Sequence, residues 1–147
     1  MNPIYVTFEQ AKILREKGFK WLCNYFYSQN GNLYPRTVTS GDEPTPYDPA
    51  DFYENFNTIV FYNVDNKYQT VFSAPEQWQV VEWLREKYGI WVHVRRDGGW
   101  WIPIIEDFSN EKEEGTKIIE MENVPVCFYS PKEAYSAAFD YVLNNLI

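Results

Sequence analysis

The chain has 147 residues, of which 45% are hydrophobic and 23% are charged, a balance that fits one globular domain and disfavours disorder throughout. Its formal net charge of −8 argues against direct binding to nucleic acid, which requires a basic surface. No run approaches the roughly 18 apolar residues of a membrane span, and residues 1–16 lack the features of a secretion signal. We expect a single cytoplasmic domain over 1–147 that has no contact with a membrane.

The first predicted helix covers about Phe8 to Lys17. Thr7 and Gln10 have the spacing of a capping box, in which each side chain accepts a hydrogen bond from the backbone amide of the other residue. Gly18 suits the left-handed conformation that ends many helices. We therefore expect a short capped helix at the start of the chain.

Two hairpins are predicted next. Residues 21–27 and 33–38 are aromatic and strand-like, and 29–32 has turn chemistry between them. Residues 58–63 and 68–72 have a similar pattern around a turn at 64–67.

The segment 39–57 is rich in Gly, Asp and Pro, and predicts a long loop, or an arm that lies on the surface or across a neighbour. A short helical turn there would bring together Asp48, Asp51 and Glu54, which is one way to build a cation site from carboxylates. A capped surface turn explains the same residues without a cation, and it is the interpretation we favour.

The stretch from Ser73 to Ile105 holds five of the six tryptophans and is the predicted centre of the fold. Ser73 and Glu76 have capping-box spacing, so a helix is predicted to start there. Its apolar residues share one face up to about Tyr88. Gly89 then predicts a left-handed helix end.

A hairpin follows the helix, with strands at 90–95 and 100–105 and a turn at Asp97-Gly98-Gly99. A two-residue turn places Trp100 on the same face as Trp91, His93 and Arg95, whereas a three-residue turn places Trp101 there. Either register leaves at least two tryptophans and an isoleucine on that face. Because a solvent-facing sheet normally shows polar residues, we expect this face to be covered by the chain itself, a second subunit or a ligand.

The last third of the chain predicts an acidic loop over 106–116, a strand at 117–121 and a further strand at 126–129. Ser130 and Glu133 form another capping-box pattern, with Pro131 at the first helical position. An apolar stripe then predicts a closing helix. The whole pattern predicts an α+β fold, in which three capped helices pack on a mostly antiparallel sheet built from hairpins.

Several of these segments together resemble a group of small uncharacterised proteins from gut bacteria and their phages or prophages. The resemblance covers about half of the chain and lies in helix frames rather than in catalytic motifs. It implies no activity. The segments that carry it are 11–19, 24–27, 74–75, 83–90, 130–135 and 144–147.

No catalytic, metal or cofactor site is predicted. His93 is the only histidine, and no nucleophile motif accompanies it. Cys23 and Cys127 lie among aromatic residues without metal-ligand spacing, so we expect two buried, reduced thiols. The candidate binding residues are instead Trp91, His93, Arg95 and Trp100, because aromatic and arginine side chains are typical anchors of protein interfaces.

Three functions fit these observations. The first is a protein-interaction or accessory protein of prophage origin, which uses the aromatic sheet face or the Pro-rich arm to form a homodimer or bind a host protein. The second is an acidic mimic of nucleic acid that occupies a DNA-binding host protein. The third is an enzyme that uses His93, and the lack of a catalytic motif favours the non-enzymatic functions over it.

Overall fold

The computed structural model describes residues 3–35, 57, 60–62 and 68–147. Helices accompany antiparallel sheets, which confirms the predicted α+β class. The helices are α1 (Phe8–Glu16), α2 (Gln77–Tyr88), α3 (Glu111–Glu114) and α4 (Pro131–Asn145). The strands are β1 (Tyr25–Tyr27), β2 (Leu33–Pro35), β3 (Val60–Tyr62), β4 (Tyr68–Thr70), β5 (Phe72–Ser73), β6 (Ile90–Asp97), β7 (Trp100–Asp107) and β8 (Lys117–Ile119). Within the described ranges they form sheets in the orders β2-β1-β5, β3-β4 and β6-β7-β8.

Two compact units are present. One comprises residues 5–76, and the other comprises residues 1–4 together with 77–147. The prediction of a single domain stays a prediction, and each unit is described by itself.

In the unit of residues 5–76, α1 has the predicted ends. The Thr7 side chain accepts from the Gln10 amide, and the Gln10 side chain accepts from the Thr7 amide, which is a complete capping box. At the other end Gly18 has φ 85°, its N–H donates to the Arg15 carbonyl, and the Phe19 N–H donates to the Leu14 carbonyl. This is the Schellman pattern, and it turns Phe19 into the core, where it is fully buried.

The predicted helix start at Ser73 is wrong. Ser73 lies in β5, paired with Phe26 of β1, and its N–H donates to the side-chain oxygen of Asn57 at 2.8 Å. Pairing of Glu76 with Tyr5 continues the extended backbone, so α2 begins only at Gln77. The helix itself is confirmed, but the expected cap residue Ser73 pairs in a strand instead.

In the unit that contains 77–147, Gly89 ends α2 as predicted. It has φ 66°, its N–H donates to the Arg85 carbonyl, and its carbonyl accepts from the Phe108 N–H. One residue therefore ends the helix and opens the β6–β7 hairpin. Helices α2 and α4 both pack on this hairpin, and α4 begins at the predicted Ser130 cap, whose hydroxyl accepts from the Glu133 amide.

The hairpin has the two-residue turn, formed by Gly98 and Gly99. Asp97 pairs with Trp100, and the ladder continues without interruption to Ile90 opposite Asp107. Of the two registers open to the sequence, the structure thus adopts the one that places Trp100 on the same face as Trp91.

Strand β7 carries a proline although it has neighbours on both sides. The Trp101 N–H and carbonyl bond to Phe128 at 2.9 Å each, and Ile105 pairs with Ile119 of β8. Pro103 lies between them and its missing N–H points to the same side, because peptide groups alternate along a strand. Pro103 therefore lies at the gap between the Phe128 bridge and β8, where residues 120–127 do not pair with β7. No hydrogen bond of the ladder is lost.

One predicted loop is partly regular structure, and several predicted features lie outside the described residues. The acidic segment 106–116 is not loop throughout, because β7 continues to Asp107 and α3 forms one helical turn. The Pro-rich arm up to residue 56, the acidic turn within it, the end of the strand at 33–38 and the turn at 64–67 lie outside the described residues. None of the helices in the described ranges is long and apolar enough to cross a membrane.

Candidate binding face on the β6-β7-β8 sheet

The observed register gathers the four predicted binding residues on one side of the sheet. Alternation along β6 places Trp91, His93 and Arg95 together, and the pairing of Asp97 with Trp100 adds Trp100 to the same side. We call this side the outer face; its members are Trp91, His93, Arg95, Asp97, Trp100, Ile102, Ile104, Glu106 and Ile118. The opposite side is the inner face, with Ile90, Val92, Val94, Pro103, Ile105 and Ile119.

Burial separates the two faces sharply. On the inner face Val92 is 0% exposed and Ile105 is 1% exposed, and both helices α2 and α4 pack there. On the outer face Trp91 is 42% exposed, Trp100 44% and Ile118 61%. The expectation that the outer face is covered is therefore not met by the chain itself at these three side chains. Binding of another molecule there would remove their apolar surface from water.

The open end of the outer face, where β6 starts and β7 ends, carries a three-member cluster. The His93 ring stacks on the Trp91 ring, with centroids 4.3 Å apart and planes inclined by 23°. His93 Nε2 lies 3.1 Å from a carboxylate oxygen of Glu106, which reaches it from the neighbouring strand. Histidine and glutamate are both partly buried. These contacts hold the Trp91 ring in place, so that it forms a preorganised surface.

The turn end of the outer face carries a second aromatic pair. The rings of Trp100 and Tyr129 lie 5.0 Å apart, and Tyr129 is 79% exposed. Tyr129 reaches Trp100 because the neighbouring residue Phe128 is bridged to Trp101. Tyr129 was not among the predicted binding residues, although the predicted strand at 126–129 was the available signal. Glu106 was missed too, because it was assigned to a loop.

The arginine that lies over a tryptophan is Arg96, 5.8 Å from the Trp101 ring centre. Arg95, the candidate binding residue, does not make this contact with Trp101. Strand alternation instead directs Arg95 to the outer face and Arg96 to the other side, where Trp101 is its cross-strand partner. Arg95 is exposed on the outer face.

The two cysteines differ from each other. Cys23 is buried as expected, its thiol donates to the Trp21 carbonyl at 3.5 Å, and burial raises its pKa to about 12. A thiol with so high a pKa is a poor nucleophile at neutral pH. Cys127 is exposed, which corrects the expectation that it is buried. The backbone bridge that joins its segment to the sheet is made by Phe128, and the Cys127 side chain is left at the surface.

The surroundings of His93 bear on the hypothesis of an enzyme that uses it. His93 has an ionisable neighbour in Glu106, but it lines neither of two shallow grooves of about 470 and 460 Å³ beside α4. No three His, Cys, Asp or Glu side chains cluster as metal ligands in the ranges that the structure describes. The enzyme hypothesis for His93 stays a hypothesis.

In comparisons with known proteins, no protein-family model, curated protein or solved structure matched the chain. The resemblance to proteins of gut bacteria and their phages therefore stays a prediction. Functional inference rests on the outer face and its chemistry.

Proposed function

We propose that the chain is a small protein-interaction or accessory protein whose outer face is its binding surface. The observation that carries the proposal is the exposure of Trp91 and Trp100 at opposite ends of a regularly paired hairpin. Tryptophan, tyrosine and arginine are the residues most enriched among those that dominate binding energy at interfaces. The outer face combines all three types with Trp91, Trp100, Arg95 and the adjacent Tyr129.

Two further features support binding at this face. The side chains stand on long, uninterrupted strands, which lowers the entropy lost when a partner binds. The inner face of the same strands already contributes to the core, so the exposed tryptophans are not needed to form that core. A cytoplasmic location and a prophage origin remain parts of this proposal.

Affinity capture with matched variants tests the proposal. The immobilised chain is incubated with a lysate of a gut bacterium, and the Trp91→Ala/Trp100→Ala variant is compared with Trp78→Ala. Trp78 is an exposed tryptophan on α2, outside the outer face, and serves as the control. We expect the double variant to lose a partner that the wild type and the control retain, measured by quantitative mass spectrometry. Folding of each variant is checked by circular dichroism.

Equal capture by the double variant and the wild type would contradict the proposal. Capture that disappears in high salt, and does not depend on the tryptophans, would favour the nucleic-acid mimic, because its contacts would be ionic and screened by salt.

A further inference from the structure

We propose that the partner of the outer face is a second copy of this chain, bound in a two-fold dimer with the turn end of each hairpin over the open end of the other. The inference rests on the proposed function and names its partner. Three observations support it: the charge of the face, the placement of its charges, and the presence of aromatic residues at both ends.

The charge of the outer face permits self-association. The whole chain carries −8, so two copies repel each other unless they meet at surfaces that are nearly neutral. The formally charged residues on the outer face are one basic residue, Arg95, and two acidic residues, Asp97 and Glu106, which sum to −1 when His93 is neutral. This face is thus close to neutral, and copies can approach through it with little repulsion.

The placement of the charges selects the arrangement. Arg95 lies near the turn, whereas Glu106 lies opposite Trp91 at the open end. They are four residues apart along the ladder, or about 13 Å at the usual rise per residue, so they do not meet within one chain. A two-fold axis that runs across the strands, between the two sheets, brings Arg95 of each copy over Trp91 of the other and beside its Glu106. Each contact then occurs twice, as a two-fold interface requires.

The alternative two-fold axis, along the strands, is less favourable. It keeps the two open ends together, and so places Glu106 over or beside Glu106 of the second copy. Like charges at close range cost binding free energy. The axis across the strands instead joins unlike charges and adds attraction between the Arg95 guanidinium and the Trp91 ring.

The size of the face predicts a weak dimer. Strands β6 and β7 have eight residues each and β8 has three, so at about 3.4 Å per residue and about 4.8 Å per strand the face covers roughly 300 Å² per copy. Stable interfaces bury about 800 Å² per partner. We therefore expect reversible association that is complete only at high protein concentration.

Sedimentation equilibrium of the full chain, from micromolar to millimolar concentration, tests the inference. We expect Arg95→Glu and Glu106→Arg each to weaken dimerisation by about tenfold or more, because each variant opposes like charges twice. An equimolar mixture of the two variants should recover the wild-type association, since in the mixed dimer both contacts again join unlike charges. Arg95→Lys should retain most of the association, and Trp78→Ala should retain all of it.

The outcomes separate the two proposals. A chain that is monomeric at every concentration overturns the dimer, while loss of a captured partner by Trp91→Ala/Trp100→Ala would still uphold the proposed function with another protein as partner. A dimer that is insensitive to Arg95→Glu overturns the inference, because another surface must then form the contact. Single variants that lose association and do not recover it on mixing overturn the arrangement of the two ends. If Glu106→Arg does not fold, the inference is tested by the difference in association between Arg95→Glu and Arg95→Lys, since Arg95 is exposed and neither variant should affect folding. Equal association by these two variants overturns the inference.

Discussion

The two faces of the β6-β7-β8 sheet are made by alternate residues of the same strands, yet they have different roles. Ile105 on the inner face is buried under helices, whereas its neighbour Ile104 on the outer face is half-buried. Both faces are rich in large apolar side chains, so composition does not distinguish them. What distinguishes them is whether the chain supplies something to cover them. The inner face is buried in the fold, and the outer face leaves apolar surface exposed at Trp91, Trp100 and Ile118.

The largest expected effect comes from truncating one isoleucine on each face. Ile105→Ala removes a fully buried side chain and leaves a cavity, so we expect the free energy of unfolding to fall by about 2–5 kcal/mol. Ile104→Ala is the matched control in the same strand, and should lower it by about 1 kcal/mol or less. Urea unfolding measures both variants. Equal losses would mean that the outer face also belongs to the core.

A second test compares the stability effects of substituting two glycines. Gly89 joins α2 to the sheet, and Gly98 lies in the turn at the other end of the hairpin. In Gly89→Ala the new Cβ would stand 2.9 Å from the Ser109 Cα, at a φ of 66° that disfavours side chains. In Gly98→Ala the φ is also positive, 60°, but no atom lies within 4 Å. We expect a loss of about 1 kcal/mol for Gly98→Ala from backbone strain alone, and about twice that or more for Gly89→Ala. Thermal unfolding compares them; a larger loss for Gly98→Ala would show that the helix end tolerates a side chain.

The smallest expected effect concerns the two thiols, one buried and one exposed beside the outer face. Burial raises the Cys23 pKa from 9.0 to about 12, so the folded state holds this proton more tightly than the unfolded state. The resulting stabilisation is complete below about pH 9 and is lost as the pH rises toward 12. Between pH 8 and 10 we expect Cys23 to account for a loss of about 1 kcal/mol in the free energy of unfolding.

Urea unfolding at the two pH values, with Cys23→Ala and Cys127→Ala, isolates this contribution. Tyr27 and Tyr135 also have raised pKa values through burial and act in the same direction, so both variants retain their share of the loss. The Cys23→Ala variant should show the smaller pH dependence, and Cys127→Ala should match the wild type. Identical pH dependence in all three proteins would mean that Cys23 is not held in a buried, protonated state.

Much of the local structure was predictable because its causes are local. The Thr7 capping box, the Ser130 cap and the glycine ends at Gly18 and Gly89 depend on residues within a few positions, and all four predictions are confirmed. Ser73 shows the limit of such patterns. Its spacing to Glu76 satisfies the capping-box pattern, but pairing with β1 holds Ser73 extended. Pairing with distant residues prevailed over a local preference.

The four candidate binding residues lie on one face of the sheet, but whether they do so depended on the turn. The sequence left two registers open, and each placed a different tryptophan on the same face as Trp91. The two-residue turn at Gly98-Gly99 placed Trp100 there. Glu106 and Tyr129 joined the face through contacts with His93 and Trp100, respectively, which come from other strands or segments. No spacing rule along the chain relates such pairs.

By itself the sequence determined the α+β class, the presence of α2 and its end at Gly89, the hairpin that follows it, and the presence of two apolar faces on that hairpin. These follow from periodicity and turn chemistry, which act over a few residues. Only the tertiary structure decided which face is covered, because burial depends on where α2 and α4 pack on the sheet. Since both helices lie on the inner face, Trp91 and Trp100 are left partly in water, and the outer face remains available to a partner.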